Sequence, residues 1–441
     1  DVERSRGLGD VYKRQINIVK IGKGMSTIAH ITALEILDSR GNPTIRVTTT
    51  TTDGHTGVAD VPSGLSTGTG EALELRDKDP KRYHAKGVLT AIRNISEIIR
   101  PALSGKSIYE QTILDQCMID LDGTSNKSHL GANAILGASL SIAKAAANQS
   151  NISLFRYLNK NNPISLPKPM VNIINGGGHA QNNLTFQEFM ICPHGISTFR
   201  ESLRAASEIF HCLKNLLRKK NYIISVGDEG GFAPNFTSAE EALDCIVHAI
   251  LDAGYIPREE VSIALDCAAS SFYKKDEDIY INNNLGKSLF RTSKEQIAYL
   301  IHLTELYPIN SIEDGLAEED WVGWRSLTKK LRGKVELVGD DIFCTNPHLL
   351  QKGINEKIAT SILIKPNQIG TLTESFEVAR LATKNNYGLV TSHRSGDTED
   401  PCIADIAIAM QATRVKFGSV CRSERTAKYN RLLEIEQELS S

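Results

Sequence analysis

The hydrophobic and polar positions divide the chain into two regions with different patterns. From Ile28 to Val61 the sequence is rich in β-branched residues, and turn sequences interrupt it at 39–43 and at Asp53-Gly54. This pattern predicts a three-stranded antiparallel meander. Strands followed by helices predict an α+β domain in this first region. Apolar residues with helical spacing follow the strands at about 87–103, 109–120 and 131–148.

A proline-containing stretch from Asn159 to Pro169 ends the first region and is predicted to be a linker. Beyond it, short apolar runs alternate with amphipathic helices. One helix is predicted to begin with a capping box at Ser238 and Glu241 and to end near Gly254. Several of the apolar runs end in a chemically active side chain. These side chains are Asp266, Glu313, Asp340, Lys365, His393 and Lys416.

The spacing of these strand ends predicts the fold of the second region. The last five recur about every 25 residues, close to the roughly 30 residues of one strand–helix unit in an eight-unit barrel. We therefore predict an α/β fold, in which the α+β domain at 25–160 precedes a C-terminal (β/α)8-type TIM barrel at 161–441 that carries the active site. Residues 1–24 are charged and aperiodic, so we expect an extension that is disordered or non-native and lies outside the fold.

Composition excludes several classes of protein. Of 441 residues, 41% are hydrophobic and 23% are charged, which is ordinary globular usage and permits a large core. The formal net charge of −2 and the lack of a basic block argue against general nucleic-acid binding. No apolar run approaches the ~18 residues of a membrane span. The eight cysteines form no CxxC pair, which favours reduced thiols and a cytoplasmic location.

Three of the strand-end residues are carboxylates, Asp266, Glu313 and Asp340. At one end of a barrel they would repel each other unless a cation held them, and oxygen ligands suit Mg²⁺ or Ca²⁺. The alternative is that each acid is an ordinary helix N-cap. Lys365 ends an apolar strand, where burial and a metal would disfavour its charged form and suit it to act as a general base. Its alternative is a structural ion pair with one of the acids.

The next two strand ends predict an anionic substrate. His393, Arg394, Ser395 and Lys416 offer cationic and hydroxyl donors, and an arginine fork suits carboxylate or phosphate. The alternative is a solvated polar loop. Neither the P-loop nor the Rossmann glycine pattern is complete anywhere in the chain.

Weaker patterns precede the barrel strands. Glu229 lies in a glycine frame, Gly227–Gly231, that could aim a general acid, although an ordinary acidic turn fits the same residues. His179 follows a glycine-rich loop, and Gln187 and Glu188 form a polar pair between phenylalanines. Each of these has a structural alternative when taken alone.

Taken together, these motifs resemble those of the enolase family. The resemblance runs from about Thr27 to the end of the chain, and the order and spacing of the motifs carry it. The motifs are Asp38-Ser-Arg-Gly-Asn-Pro-Thr44, Val61-Pro-Ser-Gly64, Glu71-Ala-Leu-Glu-Leu-Arg-Asp77, Leu130-Gly-Ala-Asn-Ala-Ile-Leu136, Gln187-Glu-Phe-Met190, Gly227-Asp-Glu-Gly-Gly231, Ser311-Ile-Glu-Asp314, Lys365-Pro-Asn-Gln-Ile-Gly370 and Ser392-His-Arg-Ser-Gly396.

The resemblance implies a barrel with an irregular start and a reversible, Mg²⁺-dependent dehydration of 2-phospho-D-glycerate to phosphoenolpyruvate in glycolysis and gluconeogenesis. It implies that Lys365 removes the proton beside the carboxylate and that Glu229, assisted by Glu188, protonates the departing hydroxyl. The remaining implied roles are Asp266, Glu313 and Asp340 as ligands of a first Mg²⁺, Ser63 as a ligand of a second, Arg394 and Ser395 at the phosphate, and His179, Gln187, His393 and Lys416 in the rest of the anion cage.

The resemblance also implies a homodimer or larger homo-oligomer. Arg46 and Glu434 stand where the family carries an acid and an arginine that pair across a dimer, so we predict a charge-swapped pair. By family analogy alone, we also consider a role in an RNA-degrading assembly or at the cell surface. Leu65, Ser271 and Asp397 also depart from the family pattern, and none is expected to contact a catalytic group.

Two other functions compete with this interpretation. Another enolase-superfamily reaction, such as an acid-sugar dehydratase or racemase, would keep the metal acids and a lysine but would not need a phosphate cage. A non-catalytic scaffold on the same fold would be signalled by loss of Lys365 or of a metal acid, and both are present.

Overall fold

The computed structural model describes residues 26–64, 68–160, 162–284 and 287–440, so the expected extension at 1–24 and the departure at Leu65 lie outside the described residues. The first region forms an antiparallel sheet with strands in chain order, which confirms the predicted meander. Its strands are β1 (Ile28–Leu37), β2 (Pro43–Thr51) and β3 (Thr56–Asp60).

Helices cover this sheet, and they begin and end close to the predicted positions. α1 (Leu89–Asn94) continues through a π-helical turn into α2 (Arg100–Leu103). The others are α3 (Gln111–Asp122), α4 (Ala132–Gln149) and α5 (Leu154–Asn159). α4 is buried along most of its length because its small, Ala-rich side chains let it lie between two cores. One face packs against the sheet through residues such as Ile135, and the other joins the barrel core through Leu136 and Leu140.

The second region contains a closed eight-stranded barrel, with the order β4-β5-β6-β10-β11-β12-β13-β14 around the ring. β5 runs antiparallel to both neighbours, and the other adjacent pairs are parallel. This confirms the barrel and its irregular start. The strands of the region are β4 (Lys168–Asn175), β5 (Glu188–Cys192), β6 (Ser262–Asp266), β7 (Tyr273–Lys274), β8 (Ile279–Asn284), β9 (Lys287–Thr292), β10 (Ile309–Glu313), β11 (Glu336–Gly339), β12 (Ser361–Ile364), β13 (Gly388–Ser392) and β14 (Arg414–Lys416).

Helices surround the barrel, and a separate antiparallel sheet of β7, β8 and β9 follows β6. The sequence pattern did not predict this small sheet, since its short strands lack a clear alternation. The helices are α6 (Phe199–Lys219), α7 (Ala239–Asp252), α8 (Ser293–Leu306), α9 (Trp321–Leu331), α10 (Pro347–Glu356), α11 (Pro366–Ile369), α12 (Leu372–Lys384), α13 (Cys402–Ala409) and α14 (Ser423–Ser440). None of the helices in the described ranges is long and apolar enough to cross a membrane.

The capping box predicted at the start of α7 is only half correct. The Ser238 side chain accepts the backbone N–H of Glu241, as expected of an N-cap. The Glu241 carboxylate, however, accepts the backbone N–H of Thr237 at 2.7 Å and also contacts the Tyr222 hydroxyl. The tyrosine packs over the helix start and draws the carboxylate away from the position that a reciprocal box requires.

The two residues predicted to pair across a dimer both have partners in their own chain. The Arg46 guanidinium binds Asp60 through two bonds of 2.6 and 2.8 Å. Glu434 accepts a hydrogen bond of 2.9 Å from Arg431. These contacts satisfy both charges without a second subunit, so the charge-swapped pair stays a prediction.

Strand β3 lies directly against the backbone of α4 at Gly57. A Cβ atom there would lie 2.1 Å from the carbonyl oxygen of Ser141 and 2.2 Å from the backbone nitrogen of Ala145. We therefore expect Gly57→Ala to push the sheet away from the helix and to lower the free energy of unfolding by about 2–3 kcal/mol, the usual range for overpacking. The midpoint of urea unfolding measures this, with Thr56→Ala on the exposed side of the same strand as the control. Equal midpoints for the two variants would contradict the close approach.

Candidate active site

The six strand-end residues converge at one end of the barrel, which we call the mouth. Asp266, Glu313 and Lys416 end their strands, and the others directly follow theirs, as predicted. Asp266, Glu313, Asp340, His393 and Lys416 are buried. Because β5 runs in the opposite direction, its first residue, Glu188, pairs with Asp266 and lies at the same end.

Lys416 is the cation at the centre of the mouth. Its Nζ lies 2.7 Å from Asp266 Oδ2, 2.8 Å from Glu313 Oε1 and 3.1 Å from Glu188 Oε1. Burial alone would lower the pKa of Lys416, but attraction to these carboxylates raises it well above its usual value. The ammonium group is therefore charged, and it holds together acids that would otherwise repel each other.

Lys365 forms an ion pair with Asp340, which is the structural alternative considered from the sequence. Burial would lower the pKa of Lys365, but the attraction of Asp340 outweighs burial and raises it. The expectation that its charged form is disfavoured is thus wrong for this state of the site, because a carboxylate in direct contact outweighs desolvation. Asp340 Oδ1 also accepts a hydrogen bond of 3.0 Å from Gln368 Nε2.

The described residues contain two groups of side chains that could hold a metal ion. Possible ligand atoms within 4.8 Å of one another form two sets, His179, Glu188 and Glu229, and Asp314, Asp340 and Asp341. The predicted trio is not one of these sets: Lys416 binds both Asp266 and Glu313, and Lys365 binds Asp340.

The chemistry of the donors nevertheless fits a divalent cation. Both oxygens of Asp314 accept backbone N–H groups, from Asp340 at 3.0 Å and Asp341 at 2.9 Å, so Asp314 holds the turn after β11. Glu313, by contrast, has a buried oxygen, Oε2, without a hydrogen-bond partner. The two lysine ammonium groups also show that positive charge is favoured between Asp266, Glu313 and Asp340. These carboxylates suit a hard cation.

A second acid pair lies on the other side of the mouth. His179 Nδ1 is 3.5 Å from Glu229 Oε1 and 3.8 Å from Glu188 Oε1. Burial, reinforced by repulsion from Glu229, raises the pKa of Glu188 well above its usual value. Burial would also raise the pKa of Glu229, but His179 and His393 beside it hold that pKa well below its usual value. The surroundings therefore favour the protonated form of Glu188 and the charged form of Glu229.

The glycine frame aims Glu229 into the mouth instead of forming a solvated turn. Asn175 accepts the N–H of Gly231 at 3.0 Å, and Asn172 Nδ2 donates to Glu229 Oε2 at 3.2 Å. Gly230 has a φ of +88°, and a Cβ there would lie 2.4 Å from the carbonyl oxygen of Cys421. Only glycine meets both conditions, so the frame fixes the direction of the Glu229 carboxylate.

Arg394 and Ser395 lie beside the two lysines. The Arg394 guanidinium forms a fork with Glu71 of the N-terminal region, with bonds of 3.0 and 3.2 Å. The two oxygens of Glu71 stand where two oxygens of a phosphate or carboxylate ligand would bind. The buried Ser395 hydroxyl has no hydrogen-bond partner among the residues that the structure describes. Gln187, the remaining predicted contact, donates to Asp266 Oδ2 at 3.2 Å.

Ser63 reaches the mouth from the N-terminal region. Its backbone forms two hydrogen bonds with Gly396, of 2.7 and 2.9 Å, which place it beside Arg394 and Ser395. Its hydroxyl, however, donates to Glu74 at 3.0 Å and accepts from Arg76 at 2.9 Å. The position fits a site at the phosphate end, while the role as a metal ligand stays a prediction.

Comparison with known protein families agrees with this architecture. A family model described as "Enolase, N-terminal domain" matches residues 28–158, and one described as "Enolase, C-terminal TIM barrel domain" matches residues 163–441. The chain belongs to the enolase family. Family membership supports a lyase-type enzyme.

Some residues of this enolase-family site were not found from the sequence. Glu71 lies within a recognised motif, but its pairing with Arg394 was not anticipated. Arg425 of α14 contacts the mouth although it follows the last barrel strand. Arg425 is a buried arginine on the apolar face of a helix. The sequence alone does not distinguish such an arginine from an exposed one, so it gave no sign of this role.

One departure from the enolase-family pattern does contact the site. Asp397 Oδ2 accepts the backbone N–H of Arg394 at 3.1 Å, and its other oxygen pairs with Lys428 at 2.9 Å. Arg394 is a predicted substrate contact and not a predicted catalytic group, so the expectation that Asp397 contacts no catalytic group stays a prediction. Ser271, which donates to the carbonyl of Ala268 at 2.7 Å, only closes a local turn.

The raised pKa of Glu188 predicts a pH-dependent stability in metal-free buffer. Between the ordinary value of 4.5 and the raised folded value, the folded protein keeps a proton that the unfolded chain has lost. Stability therefore falls as pH rises through this window, by up to about 1.4 kcal/mol per pH unit. Glu188→Gln has no carboxyl group to lose this proton, so its stability does not fall in the same way. The free energy of unfolding of the variant minus that of the unmodified protein should therefore be larger at pH 8 than at pH 5. Urea titrations at both pH values measure the difference.

The matched control should show no change between the same two pH values. Burial would raise the pKa of Glu241, but hydrogen bonds from Tyr222 and Thr237 outweigh burial and lower it. Glu241→Gln should therefore lose the same stability at pH 5 and pH 8, and the loss should shrink only as pH falls below the ordinary value of 4.5 toward the folded pKa. If Glu188→Gln differs from the unmodified protein equally at pH 5 and pH 8, Glu188 does not hold the proton.

Proposed function

We propose that this enzyme catalyses the reversible dehydration of 2-phospho-D-glycerate to phosphoenolpyruvate and water, with Mg²⁺ as the metal. The observation that carries the proposal is the position of the base and the acids around the barrel. Lys365 follows β12 and Glu188 begins β5, and these strands are four positions apart in an eight-stranded ring. The two side chains therefore approach a molecule in the mouth from opposite sides.

This arrangement suits an elimination in which a proton and a hydroxyl group leave from opposite faces. Lys365 would be the base that accepts the proton from the carbon beside the carboxylate. It would act in its neutral amine form, after the ammonium that pairs with Asp340 has lost a proton to solvent. Glu188, whose protonated form its surroundings favour, would supply a proton to the departing hydroxyl together with Glu229. Both roles need protons held at fixed positions away from bulk water, and the burial of the mouth provides this.

A divalent cation held by Asp266, Glu313 and Asp340 would neutralise the substrate carboxylate and stabilise the negative charge that develops on it. The chain contributes Lys416 to the same task, since its ammonium already lies among these acids. We propose two Mg²⁺ ions per site, the second recruited with substrate near Ser63. The three carboxylates offer only oxygen ligands, which supports Mg²⁺ over zinc.

The phosphate end of the site distinguishes this reaction from others in the superfamily. Arg394 would exchange the Glu71 carboxylate for the phosphate, and the unpartnered Ser395 hydroxyl would donate to it. His179, His393 and Gln187 complete the wall around the anion. An acid-sugar substrate would leave these donors without an acceptor, so a phosphorylated substrate is favoured. A cytoplasmic location and a homodimer remain predictions.

The direct test is phosphoenolpyruvate formation from 2-phosphoglycerate, followed by ultraviolet absorbance with Mg²⁺ and then with EDTA. We expect turnover with Mg²⁺ and none with EDTA. Lys365→Ala should lower kcat by about 10³-fold, the usual contribution of a general base. The exposed Lys384 at the end of α12 provides the control, and Lys384→Ala should retain full activity. A folded protein that shows no turnover would exclude this substrate and favour another superfamily reaction or a scaffold.

The Ser395 hydroxyl predicts a separation of activity from stability. The hydroxyl has no partner among the described residues, so Ser395→Ala should leave the melting temperature unchanged. The same substitution should lower kcat/KM by about tenfold, which corresponds to the loss of one hydrogen bond to a charged group. In the matched control, the buried Ser361 hydroxyl donates to Glu336 at 2.7 Å far from the phosphate end. Ser361→Ala should lower the melting temperature and leave kcat/KM intact. Loss of stability in Ser395→Ala without a kinetic effect would remove this serine from the site.

A further inference from the structure

Arg425, on the first turn of α14, has a fully buried side chain that the mechanism above does not use. It lies outside every motif found in the sequence. A buried guanidinium is costly to desolvate unless its donors are satisfied, so its partners show what it does. Its role concerns the same site and rests on the proposed function.

The guanidinium connects three segments around the mouth. Nη1 donates to the carbonyl oxygen of Arg394 at 2.6 Å, and Nη2 donates to the carbonyl oxygen of Ser395 at 2.6 Å and that of Asp228 at 3.2 Å. Nη2 also lies 3.4 Å from the Ser39 hydroxyl. One side chain thus joins the loop after β13, the glycine frame that carries Glu229 and the turn after β1.

Glu424 and Asp397 lie 3.3 and 3.9 Å from the guanidinium, and one further contact is chemically specific. Arg425 Nη1 lies 2.6 Å from His393 Nδ1. A guanidinium has donors only and does not lose its proton in proteins. His393 Nδ1 must therefore be the acceptor, and in a neutral imidazole the proton is then on Nε2.

The other nitrogen of the ring faces the acid. His393 Nε2 lies 3.4 Å from Glu229 Oε1 and has no hydrogen-bond partner within the usual geometry. We propose that Arg425 is a positioning residue that holds His393 as the Nε2–H tautomer and thereby keeps an N–H donor directed at Glu229 and at substrate oxygens in the mouth. The ring could otherwise place its proton on either nitrogen.

The surroundings of the ring support a neutral histidine. Burial lowers the pKa of His393 to about 4, and the positive charge of Arg425 opposes a second proton further. Glu229 acts in the opposite direction but does not prevail. A neutral ring with one proton is the only form in which the choice of nitrogen matters.

The shape of the guanidinium explains why arginine occupies this position. The two terminal nitrogens of its rigid fork bind Nδ1 of the ring and the carbonyl groups of the next two residues at the same time. Lysine at the same position would supply one point of contact and would not hold ring and backbone in a fixed relation. The expected effect of Arg425→Lys is therefore on catalysis more than on substrate binding.

The first experiment measures the tautomer in the unmodified protein. The protein is labelled with ¹³C and ¹⁵N histidine, and the His393 ring resonances are assigned by their loss in His393→Gln. The ring shifts distinguish Nε2–H from Nδ1–H and from imidazolium, without substrate or metal. A neutral Nε2–H ring from pH 6 to pH 8 supports the proposal, and an Nδ1–H ring or an imidazolium overturns it. This readout stands even if a variant does not fold.

The second experiment compares Arg425→Lys with Arg422→Lys. Arg422 precedes the same helix and donates to the carbonyl oxygen of Ser39 at 2.8 Å, but it binds Glu424 and not the histidine ring. We expect Arg425→Lys to lose the single-tautomer signature and to lower kcat at least tenfold with KM changed less than threefold. Arg422→Lys should keep the signature and stay within twofold of the original kcat.

The outcomes separate this inference from the proposed function. Equal losses of kcat in both variants, or a normal kcat in Arg425→Lys with a mixed tautomer, would overturn the positioning role. Failure of the unmodified protein to dehydrate 2-phosphoglycerate would refute the proposed function, while the ring measurement would still decide the tautomer.

Discussion

The structure depends on the balance of charge buried at the barrel mouth. Five acids lie there, Glu188, Glu229, Asp266, Glu313 and Asp340, all of them buried. Charges removed from water are costly unless opposite charges or hydrogen bonds compensate them. Lys416 and Lys365 compensate part of the negative charge, and the raised pKa of Glu188 favours its neutral form, which would reduce that charge further. The remaining negative charge is what makes the mouth suited to a divalent cation.

The N-terminal region and the last helix complete the site that the barrel strands begin. Ser63 pairs with Gly396 through its backbone, and Glu71 satisfies the fork of Arg394. The turn after β1 is closed by Asp38, which accepts the N–H groups of Arg40 and Asn42 at 2.9 Å. This rigid turn is what the loop after β13 packs against. The geometry of the mouth is therefore a property of both regions, and a barrel alone would lack the carboxylate that Arg394 binds.

Much of the fold and the site followed from sequence because each barrel strand ends in a side chain with a strong physical signature. An apolar run that stops at a carboxylate or an ammonium group, repeated at a regular interval, is typical of a barrel mouth. The small sheet of β7 to β9 was missed because its strands do not alternate regularly between apolar and polar residues. Arg425 was missed for a different reason, since its importance lies in contacts with Asp228 and Arg394, which are far away in the sequence. The spacing of apolar residues predicts which face of a helix or strand is buried and where the helix or strand ends. It does not predict which distant loop a helix contacts.

The protonation of Lys365 shows why composition and burial do not determine a site by themselves. From the sequence, burial was expected to favour the neutral amine, and burial is indeed the largest single influence. The direct contact with Asp340 reverses the result, because an adjacent carboxylate stabilises the ammonium more than the surroundings destabilise it. The same carboxylate is a predicted metal ligand, so a bound cation would compete with the ammonium for it. Metal binding and the release of a proton from Lys365 would then be coupled through one shared acid.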